Sequence, residues 1–134
     1  SNKSRRQARK TSIAQGQCFM IARRRGIYIG RNKSSAFKDL VWTVATSSDI
    51  SLPIEEQTRL ALETIDKNLN ELGSDKSRII SAQVYIANIA DKSKMDHVWN
   101  LWIGDNPEHW PQRACLGVAL EGDVLIEITV TAIR

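Results

Sequence analysis

Between Pro53 and Gly104 the spacing of apolar residues changes twice, and this double change restricts the fold more than any other feature. Ala61, Ile65, Leu69 and Leu72 recur at one-face helical spacing. Pro53 suits the first turn, Glu55 and Glu56 suit the positive end of the helix dipole, and Gly73 suits the stop. Ile79 to Asn88 then alternates, with Ile80, Ala82, Val84 and Ile86 on one side and Ser81, Gln83 and Tyr85 on the other. That pattern predicts a strand with one lightly covered face. Helical spacing returns from Lys92 to Ile103, where Met95, Val98, Trp99 and Trp102 form an apolar stripe closed by Gly104. A helix, a strand and a second helix in direct succession can bury their apolar sides together only if both helices lie on a sheet.

The remaining segments supply that sheet. Gly26 to Arg31 (GIYIGR) alternates and predicts a first strand, and Leu40 to Thr46 (LVWTVAT) predicts a second. The C-terminal PQRACLGVALEGDVLIEITVTAIR reads as a hairpin, with strands Ala114 to Leu120 and Val124 to Ile133 about Glu121-Gly122-Asp123. The expected order is β-β-α-β-α-β-β, an α+β fold with both helices on one face of a mixed sheet. A chain of 134 residues has room for one such domain, placed here at residues 26–134.

Residues 1–38 carry eleven basic side chains and no acid, whereas the remainder holds eight bases against fifteen acids, a net charge of −7. Residues 1–25 are therefore expected to be a basic extension, poorly ordered or related to targeting, with nucleic acid as a less favoured partner. No apolar run approaches the ~18 residues of a membrane helix, so no membrane partner is expected. Cys18 and Cys115 fit no metal or disulfide spacing, and a reducing, cytoplasmic setting is the default. His97 and His109 lack a paired ligand pattern, and no metal site is expected.

Two ions in the apolar C-terminal segment demand a reason, because a half-buried charge is costly unless paired or used. Arg113 opens one strand and Glu127 lies within the other. A guanidinium fork binds a carboxylate through two parallel hydrogen bonds. The alternative use of Arg113 is an ion pair with Asp96 or Glu127. A carboxylate such as Glu127 can orient a water and relay a proton. Cys115, two residues beyond Arg113, shares its face of the strand, where a nearby cation would lower a thiol pKa; the alternative is a small buried hydrophobe.

EEQTRLALETIDKNLNELGSDKSRIISAQVYIANIADKSKMDHVWNLW, PQRACLGVAL and LIEITVTA, in this order, resemble the Rid family of YjgF-like reactive-intermediate deaminases over about residues 40–134. The resemblance implies a chorismate-mutase-like (YjgF-like) fold and a homotrimer with ligand clefts at its subunit interfaces. It also implies hydrolysis of enamines or imines, such as 2-aminoacrylate, to 2-keto acids and ammonia without a cofactor. Arg113 matches the arginine that grips the substrate carboxylate, Glu127 the glutamate that positions water, and Cys115 a pocket cysteine. Asp96 stands where the family carries an asparagine or similar polar residue. Thr46 lies where the family has a glycine-containing turn, and Phe37 lies near the place of a pocket tyrosine. The alternatives are a non-catalytic binder of small carboxylic metabolites and an RNA-binding or ribonuclease-like protein using the basic arm.

Overall fold

The computed structural model describes residues 20–134. The expected disorder of the basic arm falls mostly outside these residues. The elements are β1 (Ala22–Arg25), β2 (Asn32–Phe37), β3 (Leu40–Thr46), α1 (Ile54–Glu71), β4 (Ile79–Ile86), α2 (Lys92–Ile103), β5 (Gln112–Gly117) and β6 (Ile126–Ile133). One sheet contains all six strands in the order β1-β2-β3-β6-β4-β5. Only β4 and β5 run parallel; every other neighbouring pair is antiparallel.

α1 ends as its sequence predicts. Gly73 adopts φ 79°, a left-handed conformation that costs glycine little. This turn lets Ser74 N–H donate to Leu69 O at 2.9 Å and Gly73 N–H to Asn70 O at 3.2 Å, the paired bonds of a Schellman stop. Ala61, Ile65, Leu69 and Leu72 are all buried, as are Met95 and Trp99 of α2. These side chains meet Val41, Ala45, Ala82, Val84, Ile86, Ile126, Ile128 and Val130 from one face of the sheet, so the two helices share a single core. The α+β class, with its mixed sheet and two helices, is as expected.

Gln57 is fully buried within α1 and spends its amide on the loops around it. Its Nε2 donates to Ile50 O at 3.1 Å, Leu52 O at 2.9 Å and Asp123 O at 3.1 Å, while its Oε1 accepts from Leu125 N–H at 3.0 Å. The entry to β6 is thereby tied to the start of α1.

Four sequence expectations are corrected. GIYIGR is the loop between β1 and β2, and the strands lie on either side of it. The expected domain start at residue 26 falls inside this loop, since Ala22 to Arg25 already pair with Ala36 to Asn32. The C-terminal segment is not a hairpin, because β4 separates β5 from β6 and bonds to both. Residues 118–125 cross the end of β4, with Val118 N–H donating to Ile86 O and Ala87 N–H to Leu125 O. Finally, Ile80 does not join the buried row: pairing slips between Ile79↔Ala132 and Ser81↔Thr131, so Ile80 is the extra residue of a bulge. Ile79 is buried in its place and Ile80 is 48% exposed.

The second face of the sheet carries neither helix. Leu40, Trp42, Val44 and Thr46 of β3 alternate onto it, as do Glu127, Thr129 and Thr131 of β6 and Gln83 and Tyr85 of β4. Trp42 is 40% exposed there, next to Thr131 across the strand pair.

Candidate functional site

Arg113 lies on β5, the parallel edge strand, directly across from Ala82. Ala82 points into the core, so Arg113 is on the helix-covered face, where α2 forms a cradle for it. The guanidinium Nη2 donates to Asp96 Oδ1 at 2.5 Å, and Nη1 reaches Met95 Sδ at 3.8 Å. Its Cζ is 5.0 Å from the centre of the Trp99 ring, a cation–π contact. Lys92 closes the other side, donating from Nζ to Asp96 Oδ2 at 2.8 Å across one helical turn. Trp99 in turn packs on Trp102 with ring centres 5.3 Å apart, and Trp102 Nε1–H donates to Asp66 Oδ2 at 2.9 Å.

Side-chain exposures of 17% for Arg113 and 27% for Asp96 put this pair at the border between core and solvent. Burial alone would raise the Asp96 pKa. Hydrogen bonds from Lys92 and Arg113, with their charges, outweigh burial and hold it below the ordinary aspartate value. Of the two acids foreseen as ion-pair partners for Arg113, Asp96 fills the role.

Cys115 follows on the same face, opposite Val84, and packs against the core. The expected lowering of its pKa is overturned. Burial pushes the thiol up and outweighs the pull of Arg113 and Lys92, so the sulfur remains protonated at neutral pH.

Glu127 is elsewhere. It pairs laterally with Thr46 and Tyr85, both on the open face. Its place on the sheet is level with Leu116, two strands from β5 and three residues from Arg113, a Cα separation of roughly 14 Å from ordinary strand spacings. The two candidate catalytic residues of one chain therefore occupy opposite sides of the sheet. Thr46 accompanies Glu127, and Phe37 lies further along the open face, beside a hollow of about 370 Å³ lined by Ile21, Arg23, Ser35 and Trp42. A second hollow of about 300 Å³ lies between Lys33, Trp42, Gln83, Thr129 and Thr131. Neither hollow includes Arg113.

Lys92 and Trp99 were not anticipated as parts of the arginine site. Lys92–Asp96 is an i,i+4 pair readable on the sequence, and Trp99 belongs to the predicted stripe of α2. What the sequence does not supply is the docking of α2 over β5. Trp110 closes its own loop by donating Nε1–H to Gly104 O at 2.8 Å.

The six-strand order, the pair of helices on one face and the single parallel step define an α+β domain built on one mixed sheet. The Endoribonuclease L-PSP family profile matches residues 43–134. A RutC family protein of Haemophilus ducreyi is 38% identical over 86 residues, spanning 63% of this chain and 72% of that relative. TdcF of Escherichia coli, provisionally named a reactive intermediate deaminase, is 28% identical over 89 residues, 66% of this chain and 69% of its own. Among solved structures, NMB1025 of Neisseria meningitidis, a YjgF family member, superposes with a TM-score of 0.79 at 26% identity, covering 87% of this chain and 97% of that one. YyfA of Yersinia pestis, described as a Rid protein, shares the fold with a TM-score of 0.77 at 21% identity, covering 86% of this chain and all of its own. The chain belongs to the Endoribonuclease L-PSP family, the group that holds the YjgF and Rid proteins.

Proposed function

We propose that this protein is a hydrolase of the enamine/imine deaminase type, acting on a small substrate whose carboxylate is held by Arg113. The observation that carries the reading is the setting of Arg113: a half-buried guanidinium at a sheet edge, backed by Trp99 and already engaged by one carboxylate, Asp96. The fork and partial desolvation that bind Asp96 suit a substrate carboxylate equally. Water adds to the C=N carbon, protons move to nitrogen, and the tetrahedral intermediate collapses to a 2-keto acid with loss of ammonia.

Glu127 is the candidate for holding that water and relaying its proton. Because it faces away from Arg113 of its own chain, the reading requires a second copy: one subunit presents Arg113 and its neighbour presents Glu127. A homotrimer with clefts between copies supplies such pairs, and the uncovered sheet face, with Leu40, Trp42 and Ile133 at 36%, 40% and 44% exposure, is apolar enough to favour cover.

The separation of Arg113 from Glu127 also favours one other reading, a binder of small carboxylic metabolites without turnover. The deciding experiment is formation of keto acid from enzymatically generated 2-aminoacrylate by the full chain, beside Arg113→Ala and Glu127→Gln. The hydrolase reading expects turnover that either change reduces, by about 10²–10⁴ for Glu127→Gln. Carboxylate binding with no turnover in the unaltered protein would leave the binder.

A further inference from the structure

The β1–β2 loop has a composition that the turn itself does not require. Gly26 and Gly30 bracket Ile27, Tyr28 and Ile29, and Gly30 takes φ 88°, which closes the loop. Tight loops draw on Gly, Asn, Asp, Ser and Pro for backbone reasons, and isoleucine contributes nothing to the bend. Yet Ile27 is 89% exposed and Ile29 95%, with Tyr28 at 59% between them. Scattered apolar side chains on a surface need no explanation, but three consecutive ones at the tip of a two-stranded projection form a patch.

Beneath this tip is a cationic collar. Arg23, Arg24 and Arg25 line β1, and Arg31 follows the loop with its Cζ 4.3 Å from the Tyr28 ring centre. Among the described residues none of these four arginines forms an ion pair, whereas Lys33, Arg59, Arg78, Lys92 and Arg113 all do. Lys33, on the paired strand β2, holds Glu71 at 3.0 Å. No acid occurs from residue 1 to residue 38, so the segment preceding the hairpin adds charge of the same sign.

We propose that this hairpin tip is a docking finger for an anionic phospholipid surface, with Ile27 and Ile29 entering the headgroup–acyl boundary and the arginine collar meeting lipid phosphates. Arg25 and Arg31 are two residues from the isoleucines, roughly 7 Å along the chain, which matches the ~5–10 Å to which interfacial segments sink. Tyr28 falls at headgroup level, where an aromatic ring with a polar tip is favoured. Long arginine stems let the charges stay with the phosphates while the tip goes deeper. Nucleic acid would use the same charges, and bases would stack on Tyr28, but two exposed isoleucines give a polyphosphate nothing. The earlier expectation of no membrane partner rested on the lack of a spanning segment, which peripheral docking does not need. Neither apolar tip nor charge suffices singly for firm attachment, so both are required together. The inference is independent of the deaminase reading.

The test is co-sedimentation of the full chain with phosphatidylcholine vesicles, with and without phosphatidylserine. Phosphatidylserine should strengthen partitioning by about tenfold or more, and added salt should weaken it. Arg24→Gln/Arg25→Gln should weaken binding to the mixed vesicles by about twentyfold, near fivefold for each charge. Ile27→Ser/Ile29→Ser, which adds no charge, should abolish it, while binding to a single-stranded RNA oligonucleotide stays unchanged. Ile27→Asn/Ile29→Asn gives the same reading, should the first pair disturb folding. Equal binding to both vesicle types, or isoleucine variants that bind like the original protein, would overturn the proposal. A parallel loss of RNA binding would reassign the finger to nucleic acid. A drop in mass by light scattering would reassign it to a contact between copies.

Discussion

Asp96→Asn probes the arginine site most directly, because Asp96 is the anchor of Arg113 and, under the proposed function, the group a ligand carboxylate replaces. The carboxylate accepts from Arg113 and Lys92, and the arginine pair is partly buried. A fully exposed pair would contribute about 0.2–1 kcal/mol, and hydrogen bonds to charged groups about 1.5–3 kcal/mol. With solvent still reaching the pair, and an amide oxygen still able to accept one bond, the expected loss of stability is about 1 kcal/mol. Thermal unfolding should shift down by about 3–5 °C. The sign with pH follows from the depressed Asp96 pKa. Its stabilisation is fully present above the unfolded aspartate value of about 3.9 and is lost as pH falls through the lower folded value. The gap in melting temperature between the two proteins should therefore be constant near neutrality and close in strong acid. Ligand affinity should move the other way. With its internal competitor neutralised, Arg113 should bind pyruvate or 2-oxobutyrate about tenfold more tightly, or about 1.4 kcal/mol, by titration calorimetry. Unchanged or weaker binding by a variant that melts as expected would refute competition and leave Asp96 as the residue that orients the guanidinium.

Arg113→Ala should remove most carboxylate affinity in the same calorimeter, and Arg113→Lys should restore only part, since an ammonium lacks the planar fork. Mixing Arg113→Ala and Glu127→Gln subunits by co-refolding should recover deaminase activity that neither has alone if each cleft draws on two copies. Absence of recovery in an assembly shown by light scattering to be mixed would count against the shared cleft. Gly117→Ala should destabilise the protein by about 1–3 kcal/mol in urea titration, because the added Cβ would meet Ile89 Cβ at 2.9 Å.

The helical spacing from Ala61 to Leu72 and the glycine after it were sufficient to place α1 and its stop, since both are local properties of backbone and burial. The shared face of Arg113 and Cys115 was equally legible, because alternation along a strand needs no knowledge of its partner. Pairing was not. Glu121-Gly122-Asp123 is a real turn, with Gly122 at φ 57°, yet it joins strands that β4 separates. Turn residues specify a local bend, while the neighbour of a strand is decided by the whole sheet. The same limitation hid the distance from Arg113 to Glu127, which depends on registers across β4. GIYIGR misled in a different way. Its isoleucines alternate like those of a strand, but among the described residues nothing covers them. Ile80 was lost to a bulge, a one-residue slip that reverses a side chain without any signature in hydrophobic pattern.

β4, α2 and β5 form one continuous length of chain, and that length holds Arg113 together with Lys92, Met95, Asp96 and Trp99. The arginine's surroundings are thus written on about two turns of one helix, on the opposite side of the sheet from the open face. Substitutions at a few α2 positions can change which anions compete for Arg113 while the sheet registers stay as they are. Such a division allows ligand preference to drift among descendants of one scaffold without each new preference having to re-establish the pairing of the strands.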